Sequence, residues 1–187
     1  MKNLLPIFIL IIFYGCQDQN IYKFKHPQPQ MLKSSETISS NFIGTFVINK
    51  DTVICTEKSI NNKKIDSNLI IKNWGNYMFI NEKINNHYNL SVAKISKFIN
   101  NEEIYLIYPG SKKIDFKIDS IIKKEDELIA SKIDSINLII KESYTNNFEI
   151  NFYVDTNNIY IDDINFNQLQ QLLREDEAYY QLVTRIK

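Results

Sequence analysis

The stretch that decides the fold is SNLIIKNWGNYMFINEKINNHYNLSVAKISKFINNEEIYLIYPG, residues 67–110. Apolar and polar residues alternate along parts of it, as at Tyr77 and Phe79 and again at Leu90 and Val92. Alternation with a period of two is typical of strands that bury one face. The sequence therefore predicts four strands, near residues 68–73, 77–83, 88–98 and 103–108.

The connections between these strands are short and rich in asparagine. They read Asn73-Trp74-Gly75-Asn76, Asn85-Asn86 and Asn100-Asn101. Asparagine and glycine tolerate the backbone conformations that tight hairpin turns require. Consecutive strands joined in this way run antiparallel, so the stretch predicts a meander.

Further hairpins flank the meander. The runs Phe42–Ile48 and Thr52–Thr56 are joined by Asn49-Lys50-Asp51, and residues 147–154 and 158–162 form a similar pair that turns at Asp155 to Asn158. Short strands at intervals of about 10 to 12 residues are typical of a sandwich or a barrel. We expect a mainly β protein of the α+β type, whose meander forms a small sandwich or barrel-like sheet.

The C-terminal region adds a helix and a last strand. In NFNQLQQLLREDE, residues 165–177, helical spacing places Phe166, Leu169, Leu172 and Leu173 on one face. This pattern predicts an amphipathic helix, with Asp163 or Asn165 as its cap. The alternating residues of a final strand are Tyr180, Leu182, Thr184 and Ile186.

Residues 111–141 permit two interpretations. A second hairpin over residues 114–131 is one. The other is a helix, because isoleucines recur near the helical period, at Ile118, Ile122, Ile129, Ile133, Ile136 and Ile140. We favour β structure, since β-branched residues lower helix propensity.

The N-terminus has the pattern of a secretion signal. Lys2 precedes an apolar run, Leu4–Tyr14, which then ends at Gly15 and Cys16. A bilayer core requires about 20 apolar residues in a helix, so this run is too short to span it. Its length suits the apolar region of a signal peptide.

The leader resembles the signal peptide of bacterial lipoproteins, in the looser form found in Bacteroidota. Phe13 and Tyr14 stand where leucine and a small residue are usual. The resemblance implies cleavage between Gly15 and Cys16, and lipidation of Cys16 with diacylglycerol and palmitate-type acyl chains. It also implies a location in the cell envelope, anchored to a membrane, and we expect the outer membrane.

Residues 17–40 are polar and contain Pro27 and Pro29. They lack a clear period, which is typical of a linker that would reach about 80 Å extended and average about 25–30 Å as a coil. We therefore divide the chain into a signal peptide (1–15), a lipidated cysteine with a flexible tether (16–40) and one β-rich domain (41–187).

Charge restricts the partners. Lys and Arg together number 22, as do Asp and Glu together. The only charged side chain lost with residues 1–15 is that of Lys2. A neutral body argues against nucleic acid, because phosphate binding needs a basic face. The expected partners are the membrane, through the lipid, and a protein or small ligand of the envelope.

Residues suited to catalysis are few. The histidines are His26 and His87, so Cys55 with His87 is the sole Cys/His pairing in the predicted domain, and we interpret Cys55 as a buried structural thiol. The acidic clusters Asp162-Asp163 and Glu175-Asp176-Glu177 are interpreted as cap and surface charge. Metal-ligand spacings and phosphate-binding loops are missing from the sequence, so we predict no catalytic residue, metal or cofactor.

Aromatic residues are the remaining signal, and several cluster in the meander. Trp74, Tyr77 and Tyr88 form the candidate binding surface, because exposed Trp and Tyr on a β face make a binding platform. Burial of the same residues in the core is the competing interpretation. The sequence therefore predicts a non-enzymatic binding module. The alternatives are an immunity or inhibitor lipoprotein that blocks a partner enzyme, and an envelope hydrolase that uses carboxylates.

Overall fold

The computed structural model describes residues 21–98, 101–110, 151–155, 158–174 and 178–186. Most of these residues lie in strands. The strands are β1 (Ile21–Phe24), β2 (Gly44–Ile48), β3 (Asp51–Thr56), β4 (Ser59–Ile60), β5 (Lys63–Lys64), β6 (Leu69–Trp74), β7 (Tyr77–Ile84), β8 (His87–Phe98), β9 (Asn101–Tyr108), β10 (Asn151–Asp155), β11 (Asn158–Asp163) and β12 (Tyr179–Ile186). A 3₁₀ turn covers Ser40–Phe42, and the helix α1 covers Phe166–Leu172.

Two-residue turns connect several neighbouring strands. Asn49 and Lys50, with φ of 48° and 74°, join β2 to β3, and Asn85, with φ of 57°, opens the turn from β7 to β8. Positive φ at the central residues gives hairpins whose twist matches that of the strands. Gly75, with φ of 56°, performs the same role between β6 and β7. The predicted turn at Asn85-Asn86 is confirmed, whereas the turn after β6 is limited to Gly75 and Asn76 because Asn73 and Trp74 belong to β6. Residues 99–100, in the connection before β9, fall outside the described residues.

The strands form one continuous hydrogen-bonded path. Its order is β10-β11-β1-β8-β9-β12-β2-β3-β4-β5, and β7 and then β6 extend from the other edge of β8. The β1–β11 pair is parallel, whereas the other described pairs are antiparallel. Within the described strands this path has free ends, so the sheet is not closed into a barrel.

The central sheet is covered on both faces. The helix face packs against α1, and its buried cluster comprises Tyr22, Phe24, Phe79, Leu90, Val92, Ile107, Ile159, Ile161, Ile164, Leu169, Leu172 and Ala178. The hairpin face packs against β2 and β3, and its buried cluster comprises Ile38, Phe42, Phe46, Cys55, Leu69, Ile71, Met78, Ala93, Ile95, Ile104, Leu106 and Val183. Successive residues of β7 and β8 alternate between the two clusters, as the period of a strand requires.

The prediction of a mainly β fold with a C-terminal helix is confirmed. Strands β6 to β9 form the antiparallel meander. Asn165 caps α1 through a capping box: its side chain accepts a hydrogen bond from the Gln168 backbone, and the Gln168 side chain accepts one from the Asn165 backbone. The choice between hairpin and helix for residues 111–141 falls outside the described residues.

The predicted boundary between tether and domain at residue 40 is wrong. Strand β1 pairs with both β11 and β8, Phe24 is fully buried in the helix-face cluster, and Ile38 is buried in the hairpin-face cluster. The folded body therefore includes β1 and the segment that follows it. The sequence IYKFK alternates in the manner of a strand, but the prolines that follow made the whole segment resemble a linker.

A buried polar clamp holds the segment after β1 against the helix face. The backbone N–H of Gln28 donates to Asn81 Oδ1 at 2.6 Å, and Asn81 Nδ2 donates to the Gln28 carbonyl at 2.8 Å. Lys72 Nζ donates to the carbonyls of Pro27 and Pro29 at 2.9 and 2.8 Å. Lys72 is only 5% exposed, and this burial lowers the pKa of its ammonium group.

Replacement of the clamp's asparagine tests its contribution to stability. Asn81→Ala removes both hydrogen bonds to Gln28 and leaves a buried N–H and carbonyl without these partners. We expect a loss of about 2–4 kcal/mol in the free energy of unfolding, since each unsatisfied buried group costs about 1–3 kcal/mol. Urea titration measures this loss. The exposed Asn86→Ala is the matched control, and an equal effect of the two substitutions would contradict the role of the clamp.

Candidate functional site

A row of side chains crosses five strands on the helix face and defines the aromatic strip. The register opposes Trp74 to Tyr77, Tyr77 to Lys94, Lys94 to Tyr105 and Tyr105 to Leu182. Directly opposed residues of antiparallel strands project to the same face. The strip therefore consists of Trp74, Tyr77, Lys94, Tyr105 and Leu182, in that order across β6, β7, β8, β9 and β12.

Trp74 forms the outer end of the strip and is held by two other rings. Its ring stacks on Tyr77, with centroids 6.1 Å apart and an interplanar angle of 25°. The ring of Phe166, the first residue of α1, meets it edge to face at 4.9 Å. Trp74 nevertheless remains 46% exposed. The indole is thus accessible to a partner while two ring contacts restrict its conformations.

The middle of the strip carries charge beside its rings. Lys94 Nζ lies 5.9 Å from the centroid of the Tyr77 ring, within reach of a cation–π interaction. The Tyr105 hydroxyl donates to the Glu103 carboxylate. At the far end Leu182 is 56% exposed. The strip therefore offers apolar rings and an aliphatic side chain together with one cation and one nearby anion.

Only two of the three residues predicted for the binding surface lie together. Tyr88 projects to the same face, but it lies six positions from Lys94 along β8, which corresponds to about 20 Å along a strand. It lies opposite Phe24 and Lys83 instead. The structure therefore joins Trp74 and Tyr77 and leaves Tyr88 apart, because membership of the strip depends on strand register rather than on proximity in sequence.

The sequence does not identify three members of the strip, which are Lys94, Tyr105 and Leu182. It also does not identify the contact between Phe166 and Trp74. The alternating pattern places Leu182 on a strand, yet it does not identify β9 as the neighbour of that strand. Phe166 was assigned to the buried face of the helix, whereas it is partly exposed and contacts Trp74. The signal for the strip is available only once the pairing of β6, β7, β8, β9 and β12 is known.

Cys55 has the properties of a structural thiol. It is buried in the hairpin-face cluster, and this burial raises its pKa to about 11. A thiol with this pKa is protonated near neutral pH, and the thiolate is the nucleophilic form. The His87 ring packs against the ring of Tyr160 at 4.7 Å. These contacts support the interpretation of Cys55 as a core residue.

The acidic candidates do not form a facing pair in the described part of the chain. Asp162 and Asp163 are consecutive residues of β11, so their side chains project to opposite faces. Glu175-Asp176-Glu177 lies outside the described residues. Among the described residues, no group of three or more His, Cys, Asp or Glu side chains could hold a metal ion.

A small cavity of about 260 Å³ lies on the hairpin face, away from the strip. Its lining residues are Glu102, Ile104, Val183 and Arg185. Arg185 also packs over the Phe46 ring at 5.2 Å and donates to the Asn41 carbonyl. The lining of this cavity therefore includes one carboxylate and one guanidinium, rather than the two facing carboxylates that glycoside hydrolysis uses.

The burial of Cys55 predicts that its thiol reacts slowly with thiol reagents in the folded protein. In the Cys16→Ser variant, Cys55 is the sole thiol. At pH 8 we expect it to resist a disulfide reagent in the folded protein and to react completely in urea, because burial both shields the thiol and raises its pKa. Absorbance of the released thiolate measures the reaction. Rapid modification of the folded protein would contradict the structural role.

Three comparisons, with protein-family models, with curated proteins and with solved structures, find no match to this chain. Within the described residues, no helix is both long and apolar enough to cross a membrane.

Proposed function

We propose that this chain is a lipid-anchored envelope protein whose folded body is a non-enzymatic binding module. Cys16 is the attachment point, and the aromatic strip is the surface that contacts the partner. The observation that carries the binding proposal is Trp74, an indole that is 46% exposed although two rings hold it. The proposal of a lipid anchor at Cys16 is supported by the resemblance of the leader to lipoprotein signal peptides.

The acyl chains that the leader predicts on Cys16 would act as the anchor. Each buried methylene of an acyl chain contributes about 0.8 kcal/mol, and two or more chains make attachment durable. Lipidation of Cys16 would thus retain the body at a membrane without a spanning helix. We place it at the outer membrane of a Gram-negative envelope, consistent with the resemblance of the leader.

The strip has the composition of a protein-binding surface. Tryptophan and tyrosine are enriched among the residues that dominate binding energy, because rigid rings bury a large area with little loss of conformational freedom. Trp74, Tyr77 and Tyr105 supply such rings, and Leu182 adds exposed aliphatic surface. We therefore propose a protein of the envelope as the partner.

Geometry favours a protein over a small ligand. The strip is a row across an open sheet, and the cavity on the hairpin face includes none of its residues. Small-molecule sites are concave and enclose most of the ligand, whereas protein interfaces are broad. An immunity or inhibitor lipoprotein is the special case in which the partner is an enzyme, and an exposed aromatic surface suits it equally well.

The anchor is tested by intact mass and membrane fractionation in a Gram-negative host. We expect the wild type to lose residues 1–15, to gain the mass of acyl chains and to remain with membranes. Cys16→Ser removes the lipidated thiol, so we expect neither the added mass nor membrane retention. A wild-type protein that is soluble and unlipidated would overturn the anchor.

The binding surface is tested by photo-crosslinking in cells that produce the chain. A photoreactive residue at Leu182 should yield a discrete adduct, whereas one at Ile54, which is 51% exposed on β3, should not. Trp74→Ala should weaken the adduct from position 182 strongly, since truncation of an aromatic hot-spot residue costs about 2 kcal/mol or more of binding. Mass spectrometry of the adduct identifies the partner, and an enzyme would favour the inhibitor case.

Two results would contradict the binding proposal. One is an equal yield of adducts from positions 182 and 54. The other is a Trp74→Ala variant that still folds, as urea titration shows, and gives an undiminished adduct from position 182. Trp74→Phe, which keeps a ring beside Phe166, is the control for stability and should retain part of the adduct.

A further inference from the structure

The chain between the proposed anchor and the folded body is very short. Strand β1 begins at Ile21, so only Gln17 to Asn20 separate it from Cys16. Five peptide steps span at most about 18 Å, even when fully extended. A body of this length has a radius of gyration of about 15 Å, and hence a diameter well above the reach of the stem.

The region of the body nearest to this stem lies on β1 and its neighbours. Lys23 is two residues from Ile21, and the register opposes it to Tyr160 of β11 and to Asn89 of β8. Tyr160 contacts His87, whose register partner is Ile84. These contacts define the Lys23–Tyr160 patch, which consists of Lys23, Tyr160, His87 and Ile84. The register places Lys23 about 7 Å along β1 from Ile21, and His87 and Ile84 about 13 Å from it, toward the C-terminal end of β1.

The patch lies on the hairpin face of the central sheet. Lys23 alternates with Tyr22 and Phe24, both of which are buried in the helix-face cluster. His87 and Asn89 are two residues apart on β8, so they share the face of Lys23. The patch and the aromatic strip therefore occupy opposite faces of the same sheet.

The side chains of the patch suit the interface between a membrane and water. Lys23 Nζ lies 5.5 Å from the centroid of the Tyr160 ring, and Ile84 is 39% exposed. Tyrosine and lysine have apolar bodies with polar tips, which lets them lie at the level of lipid headgroups. Glu82 is opposed to Asn89 on this face, and its carboxylate pairs with Lys63.

The helix face is less suited to the same contact. Near β1 it is filled by Tyr22 and Phe24, which share the helix-face cluster with Leu169 and Leu172 of α1. Contact with lipid from that side would require displacement of the helix. The hairpin face beside β1 instead presents partly exposed side chains.

We propose that the Lys23–Tyr160 patch lies against lipid headgroups, so that the aromatic strip faces away from the membrane. This inference rests on the proposed lipidation of Cys16, which supplies the anchor. The short stem brings the patch to the membrane surface. Its lysine and aromatic groups then bind headgroup phosphates and the apolar boundary below them.

Fluorescence quenching in vesicles tests this orientation. Trp74 is the sole tryptophan, so Trp74→Phe provides a background without tryptophan fluorescence. Tyr160→Trp reports from the patch, and Leu182→Trp reports from the strip. The full-length lipidated proteins are reconstituted into phosphatidylethanolamine–phosphatidylglycerol vesicles that carry headgroup spin labels. We expect quenching at position 160 to be several-fold stronger than at position 182.

A longer stem provides the matched control. Insertion of a Gly/Ser spacer of about 20 residues between Asn20 and Ile21 adds a coil of about 25 Å, which should remove most of the quenching at position 160. Ile84→Trp is a second reporter in case Tyr160→Trp does not fold. Equal or stronger quenching at position 182, or no quenching at either position in lipidated protein, would overturn the orientation. Absence of the lipid mass would instead overturn the anchor.

Discussion

The hydrogen bonds that join Asn81 and Lys72 to the segment around Gln28 are the constraint on which the remaining arrangement depends. They fasten the chain that follows β1 to β6 and β7, the two strands that extend from one edge of β8. Burial of an ammonium group is unfavourable, and carbonyl acceptors offset only part of its desolvation. Such a network tolerates little rearrangement, because each displaced partner would leave a buried polar group unsatisfied. It therefore supports the position of β1, and with it the point where the stem leaves the body.

Strand register is the second constraint, and the core and the aromatic strip both result from it. A slip of one residue would move each side chain of a strand to the other face. Met78 and Ala93 would then leave the hairpin-face cluster, and Tyr77 and Lys94 would leave the strip. Two-residue turns with positive φ restrict such slips in the meander. Selection for a stable core therefore preserves the order of the strip at no further energetic cost.

The sequence predicts local features well and long-range pairings poorly. Strands β6 to β9 and the Asn165 cap follow from alternation, asparagine turns and helical spacing, which are properties of neighbouring residues. The parallel pairing of Ile21 with Asn158 joins residues far apart in the chain, and no local pattern indicates it. A lysine within a strand is expected to be exposed to solvent. The burial of Lys72 is explained only by the carbonyls of Pro27 and Pro29, which accept its hydrogen bonds. For the same reason the sequence grouped Tyr88 with Trp74 and Tyr77. The common face of these residues is predictable, but the distance between them depends on strand register.

The short chain distance between Cys16 and β1 changes which partners the proposed module can reach. A flexible tether of 24 residues would let a binding surface search a radius of about 25–30 Å around its anchor. With Cys16 as the proposed anchor, the four residues between Cys16 and Ile21 would instead limit the height and the rotation of the body. Restriction to one height raises the effective concentration toward partners held at the same membrane, because the second contact is then nearly intramolecular. It also excludes partners that remain distant from that membrane. A protein interface of moderate affinity on the aromatic strip would therefore suffice for a membrane-bound partner.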